Sequence, residues 1–134
     1  MLKLSKKIEY GLIAVRHMAV DSANHICTAK EISDKYKISY ELLAKVLQKL
    51  TKEKIIISHQ GMNGGYSLAK NAEEITVSHI ITAIEGKFPG IVECFSEGPE
   101  SCCISENCNI KNPLGKIQTN LERTFQTMKV SEMV

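Results

Sequence analysis

The chain has 134 residues, 43% of them apolar and 24% charged, with a formal net charge of +2. That balance excludes a disordered chain and a fibre, and the length suits one domain or one small domain with an appendage. No apolar run approaches the eighteen residues a membrane span needs, and Glu9 and Arg16 interrupt the apolar stretch that a signal peptide would require, so a cytoplasmic protein without membrane contact is expected. Along the chain, Ile8, Leu12, Val15 and Ala19 recur at helical spacing and predict a first helix over 6–20 with Ser5 as cap. Thr28-Ala29-Lys30-Glu31 has the form of a capping box and opens a short helix over 29–36. Lys37-Ile38 is a brief turn, and Ser39 caps a third helix over 40–52. Leu43, Val46, Leu47 and Leu50 form its apolar side, with Glu41, Lys45, Gln48, Lys49 and Lys52 largely opposite.

Ile55-Ile56-Ile57 reads as a strand, Gly61 and Gly64-Gly65 bracket a tight turn, and Tyr66-Ser67-Leu68 returns as a second strand. Short helix, turn, longer helix with a basic outer face, glycine-tipped hairpin: this is the order of a winged helix-turn-helix. The fold class expected is therefore mainly α with a small β-hairpin. Residues 1–75 are the winged DNA-binding domain, and 76–134 carry a helix, a long loop and a dimerisation helix. The helix runs over 76–85 and stops at Gly86. The loop covers 87–111. Asn112-Pro113 then opens the last helix, 113–129, with Asn as cap and Pro in the first turn. Its stripe of Leu114, Ile117, Leu121, Phe125 and Met128 lacks an evident partner in the chain, which predicts a two-helix dimer seam.

Charge divides the chain. Residues 1–70 hold 12 Lys/Arg against 6 Asp/Glu, and residues 71–134 hold 5 against 9. Only the first half is suited to a polyanion. A recognition helix meets base edges with its N-terminal residues, here Ser39, Tyr40, Glu41 and, one turn on, Lys45. Glu41 can accept from cytosine and Lys45 can donate to guanine. Lys49, Lys52, Lys30 and the start of the second helix at Thr28 are placed for phosphate. The turn with Gln60, Asn63 and Gly64 lets backbone approach the minor groove, while Tyr66 and Leu68 are expected in the core.

Cys94, Cys102, Cys103 and Cys108 fall within fifteen residues, and Cys27 stands apart as a small buried hydrophobe. Clustered cysteines in a cytoplasmic chain bind metal or sense redox state, and soft thiolates suit iron–sulfur clusters or zinc. Zinc sites usually come as CxxC knuckles, which this chain lacks. Of the histidines, His17, His25 and His59 form no metal spacing, and His79 is the one in the helix before the loop. No paired acid and base, nucleophile elbow or phosphate loop suggests an enzyme.

Taken together, LSKKIEYGL at 4–12, TAKEIS at 28–33, ISYELLAKVLQKL at 38–50, GGYSLAK at 64–70, ITAIEG at 81–86 and ECFSEGPESC at 93–102 resemble the IscR/NsrR/RirA group of bacterial winged-helix repressors, the Rrf2 family. The resemblance implies a homodimer on a palindromic operator in double-stranded DNA and, in many members, an iron–sulfur cluster on three cysteines. Cys94, Cys102 and Cys108 are spaced C-x7-C-x5-C, similar to RirA-like members, and Cys103 is an alternative to Cys102. The position of the IscR-type histidine ligand falls near Lys111, which cannot serve. The NsrR-type carboxylate matches Glu9, from its own chain or the partner's, and a 4Fe-4S cluster is favoured over 2Fe-2S. The signal implied is iron, nitric oxide or redox stress. Cluster-free members also exist, so a regulator working through thiols or a protein partner is the alternative, with an electron carrier or cluster-transfer protein behind it.

Overall fold

The computed structural model describes residues 3–20, 26–62, 64–92, 95 and 108–134. Among these residues five helices and one hairpin follow in the order expected: α1 (Lys6–Val20), α2 (Ala29–Tyr36), α3 (Tyr40–Lys52), β1 (Ile56–His59), β2 (Gly65–Leu68), α4 (Val77–Glu85) and α5 (Lys111–Thr127). Single 3-10 turns lie at Ala72–Glu74 and Val130–Met133.

The caps of α2 and α3 are the ones that the sequence predicts. Thr28 Oγ1 accepts from Glu31 N at 3.0 Å and Ser39 Oγ from Leu42 N at 3.3 Å. Each satisfies one of the amides that a helix start leaves without an intrahelical partner. Helix α4 is capped reciprocally by Thr76 and His79 and ends at Gly86, whose φ of 83° is costly for other residues. The apolar stripes of α1, α3 and α4 meet in one core. Ile8, Val15, Leu43, Leu47, Leu50, Ile80, Ile81 and Ile84 are all 1% exposed or less. Each such side chain contributes roughly 1.5–3 kcal/mol by leaving water. Gly11 lets α1 pass close at this crossing. A methyl group there would run into Ile84 Cδ1 and lie 3.4 Å from Val46 Cγ1.

Strand β1 pairs antiparallel with β2, Ile56 facing Leu68 and His59 facing Gly65. Cys27 bridges the other side of β2 through both backbone bonds with Tyr66 and is fully buried, as a small hydrophobe should be. Tyr66 and Leu68 are half-buried against the core. The first strand begins one residue later than its isoleucine run suggests. Lys54 turns left-handed (φ 63°) and Ile55 N bonds back to Leu50 O, so Ile55 closes the end of α3 with its amide while its carbonyl accepts from Ala69 N.

The last helix departs further from expectation. It starts at Lys111, with Ile110 in the cap position and Pro113 as its third residue. Asn112 is therefore inside the helix and is not its cap. Proline is tolerated through the first turn because those amides have no intrahelical acceptor, so it does not fix the first residue. The helix ends at Thr127, which leaves Met128 as C-cap.

Nor does this helix lack partners in its own chain. The Phe125 ring lies against Phe88 with centroids 5.5 Å apart. Beyond the helix, Met128 O accepts from Val77 N, Val130 N donates to Ile75 O, and Arg16 Nε donates to Met133 O. Val130 is fully buried. The C-terminal turn thus closes over α1 and α4, because an apolar stripe takes the nearest apolar surface, whichever chain supplies it.

Candidate nucleic-acid interface and cysteine segment

The polar side of α3 is exposed as its periodicity requires. Leu43, Val46, Leu47 and Leu50 hold the helix down. Tyr40 (54% exposed), Glu41, Lys45 and Lys52 are left toward solvent. Ser39, expected at base edges, and Thr28, expected at phosphate, each use the hydroxyl as a cap acceptor, so what Thr28 offers a phosphate is chiefly the helix start. Lys30 is exposed on α2. Lys49 differs from its neighbours. Its Nζ donates to Ile84 O at 3.0 Å, so the ammonium expected on phosphate is engaged by the end of α4.

A shallow groove along α3 is lined by Lys7, Lys45, Val46, Gln48, Lys49 and Lys52. Lys7 belongs to α1 and was not among the residues expected here. It sits one helical turn before Gly11, and the close passage at Gly11 brings this side of α1 beside α3. A glycine inside an otherwise apolar helix was the available signal.

The hairpin turn joins β1 to β2. Gly64 N bonds to Gly61 O at 3.0 Å, and a side chain on Gly64 would collide with the His59 and Gly61 carbonyls. Gly61 (φ 101°) has open space around it, Gln60 is exposed, and Met62 is entirely exposed at the tip. Asn63 lies outside the described residues. The turn thus presents the Met62 side chain to solvent together with the backbone at Gly61.

Cys94, Cys102 and Cys103 also lie outside the described residues. The chain on either side of them is defined. Gln118, the one buried residue of α5, accepts from Ile91 N at 2.8 Å and donates to Pro89 O at 3.1 Å and Glu122 Oε1 at 3.0 Å. Phe95 lies over Gly115, where an added Cβ would be 3.9 Å from its Cζ. Cys108 is half-buried three residues before α5. Both ends of the cysteine segment are therefore held at the N-terminal half of that helix.

Glu9 is exposed in the first turn of α1, 3.2 Å from Lys6 Nζ. It lies one turn beyond Ser5, whose Oγ donates to Glu85 Oε1 at 2.8 Å. The start of α1 is thereby fixed to the end of α4, where the chain departs toward the cysteines. His79 is at the opposite end of α4, with its Nδ1 accepting from Thr76 N. Among the described residues no three His, Cys, Asp or Glu side chains come together as a metal site. No helix among them is long and apolar enough to cross a membrane.

A family model described as "Rrf2: Iron-dependent Transcriptional regulator" matches residues 4–134. The chain belongs to the Rrf2 family of transcriptional regulators. It is 31% identical over 133 residues to an HTH-type transcriptional regulator NsrR from Oceanobacillus iheyensis, covering 99% of this chain and 90% of that one. Among solved structures it is similar to IscR from T. potens, with TM-score 0.77 and 25% identity over 98% of this chain and 85% of that one. It also shares its fold with CymR, the global cysteine regulator of B. subtilis, with TM-score 0.79 and 22% identity over 99% of this chain and 96% of that one. These relatives are regulators of transcription and not enzymes.

This Rrf2 regulator has a winged-helix fold. The structure brings Lys7, Lys45, Lys49 and Lys52 to one groove and bonds the Lys49 ammonium to the end of α4. Gln118 was missed by sequence reading. A glutamine in an apolar stripe signals a break in a seam, and only the fold shows which backbone it serves.

Proposed function

We propose that the chain acts as a homodimer on a palindromic operator, with α3 in the major groove and the hairpin turn at the minor groove, and that an iron–sulfur cluster sets its affinity. Tyr40, Glu41 and Lys45 are the base-reading residues, and Lys30, Lys52 and the start of α2 at Thr28 meet phosphate. Cys94, Cys102 and Cys108 would hold the cluster, of the 4Fe-4S kind in preference to 2Fe-2S, with Glu9 of this chain or its partner as a fourth, harder ligand. Three thiolates leave one iron of a cubane to a weaker donor, and an iron so held is the first open to loss or attack. That suits a sensor of iron shortage, nitric oxide or oxidants.

One observation carries this reading. The C-x7-C-x5-C segment has both ends held at α5, in a chain that aligns with a protein named NsrR over 99% of its length. The donor set fits the group, since soft thiolates suit iron and sulfide chemistry. Purification without oxygen tests it. A brown protein with matched iron and acid-labile sulfide, both lost in Cys94→Ala, Cys102→Ala and Cys108→Ala but kept in Cys27→Ala, is expected. Normal iron and sulfide in Cys102→Ala with loss in Cys103→Ala would move the ligand to Cys103. A colourless protein would overturn the cluster. It would favour a thiol-based regulator, for which the adjacent pair Cys102-Cys103 offers more sulfur than three ligands require.

A further inference from the structure

Lys49 stands on the recognition helix, yet its ammonium is bound to another element. Its acceptor, Ile84 O, is one of the last four carbonyls of α4, which have no intrahelical donor. A cation there also complements the negative end of the α4 dipole. Next to it, Ser5 Oγ donates to Glu85 Oε1 while accepting from Ile8 N as part of the α1 cap. Gly11 of α1 meets Ile84 and Val46 in the same place. The last turn of α4 is therefore gripped by α3 and α1 together. One residue later Gly86 turns the chain, and residues 89–91 pass to the Gln118 clamp and the cysteine segment.

We infer that Lys49 is a positioning residue that ties the recognition helix to the end of α4, and that this junction carries movement of the chain beyond Gly86 to α3. The second half rests on the cluster reading above. The first rests only on DNA binding. The physical basis is short. The buried stripe holds α3 in place, and a charge-assisted bond from Lys49 to the Ile84 carbonyl adds a restraint on the roll of α3 about its own axis, which sets where Glu41 and Lys45 meet base edges. A phosphate ligand would behave differently. It would add affinity on any sequence and release counterions on binding.

The test compares Lys49→Met, which keeps the apolar stem without the donor, with Lys49→Arg, which keeps charge and donors. The probes are a duplex selected by the wild-type chain from a random-sequence pool and an unselected duplex, titrated over a salt series with anaerobic holo-protein and with apo-protein. Lys49→Met is expected to weaken the selected duplex roughly tenfold, leave the unselected duplex and the salt slope unchanged, and recover in Lys49→Arg. Equal loss on both duplexes with the slope lowered by about one unit would overturn the positioning role.

For the relay, the ratio of holo to apo affinity should shrink several-fold in Lys49→Met. A full ratio overturns it. A wild-type chain with no holo-to-apo difference removes the cluster reading and the relay together, while the salt series still decides the role of Lys49. Should Lys49→Met fail to fold, Lys49→Gln takes its place with the same readings.

Discussion

Helices α3 and α5 look alike as sequences, each repeating apolar residues at intervals of three and four over 13 and 17 residues respectively. Their situations differ. In α3 every residue of the stripe is buried, and the opposite side is polar and open. In α5 the stripe is interrupted by Gln118, which falls four residues after Leu114 and three before Leu121 and is itself the buried residue. Ile117, on the flank, is 48% exposed. One helix is fastened by hydrophobic burial and presents charge. The other is fastened partly by an amide and leaves apolar surface uncovered. A buried amide is worth having only where backbone needs it, and here Pro89 and Ile91 are that backbone. A stripe pattern therefore predicts that a helix side will be covered, and says nothing about what covers it.

The largest contrast should appear in folding. Leu47→Ala in α3 removes a fully buried side chain and should cost about 2–5 kcal/mol, against less than about 0.5 kcal/mol for Ile117→Ala in α5. Urea unfolding, with protein concentration fixed in both cases, measures the difference. Equal losses would mean that Ile117 is buried in the dimer as deeply as Leu47 is in the core. Gln118→Leu comes next. It leaves Ile91 N and Pro89 O without their partner and should cost about 1–3 kcal/mol, with faster amide exchange at Ile91. Unchanged exchange there would show that the clamp does not hold the segment.

On the DNA side, Lys45→Ala should weaken a selected duplex by about 1–3 kcal/mol and relax preference at one base pair. Lys52→Ala should weaken all sequences alike and lower the salt slope by about one unit. If both variants gave the uniform pattern, the reading face of α3 would not include Lys45. The smallest perturbation to the fold should be Ile117→Lys, which places a charge on the exposed flank of α5. It should leave monomer stability within about 0.5 kcal/mol while dissociating the proposed dimer in sedimentation. Phe125 is unsuited to that experiment, since its ring also packs on Phe88.

Most of the winged helix is legible in the sequence. Thr28, Ser39, Thr76 and Gly86 mark their helix ends because capping is local chemistry, settled within a turn of the chain. The stripe of α3 was legible because its period matches the helix and the whole stripe is buried in one core. The strand boundary at Ile55 and the start of α5 were misread by one and two residues, where a left-handed Lys54 and a tolerant first turn left several starting points nearly equal in energy. The clustered cysteines were visible as residue types suited to iron–sulfur or zinc chemistry, while the ligand role of Glu9 followed only from the family resemblance. Tertiary structure decided which side chains meet across the chain. Lys49 reaches Ile84, 35 residues away, Ser5 reaches Glu85, 80 residues away, and Gln118 reaches back to Pro89 and Ile91. Nothing in local propensity selects those partners, because each bond exists only after the hydrophobic core has brought two helix ends, or a helix and a loop, within reach of one polar side chain.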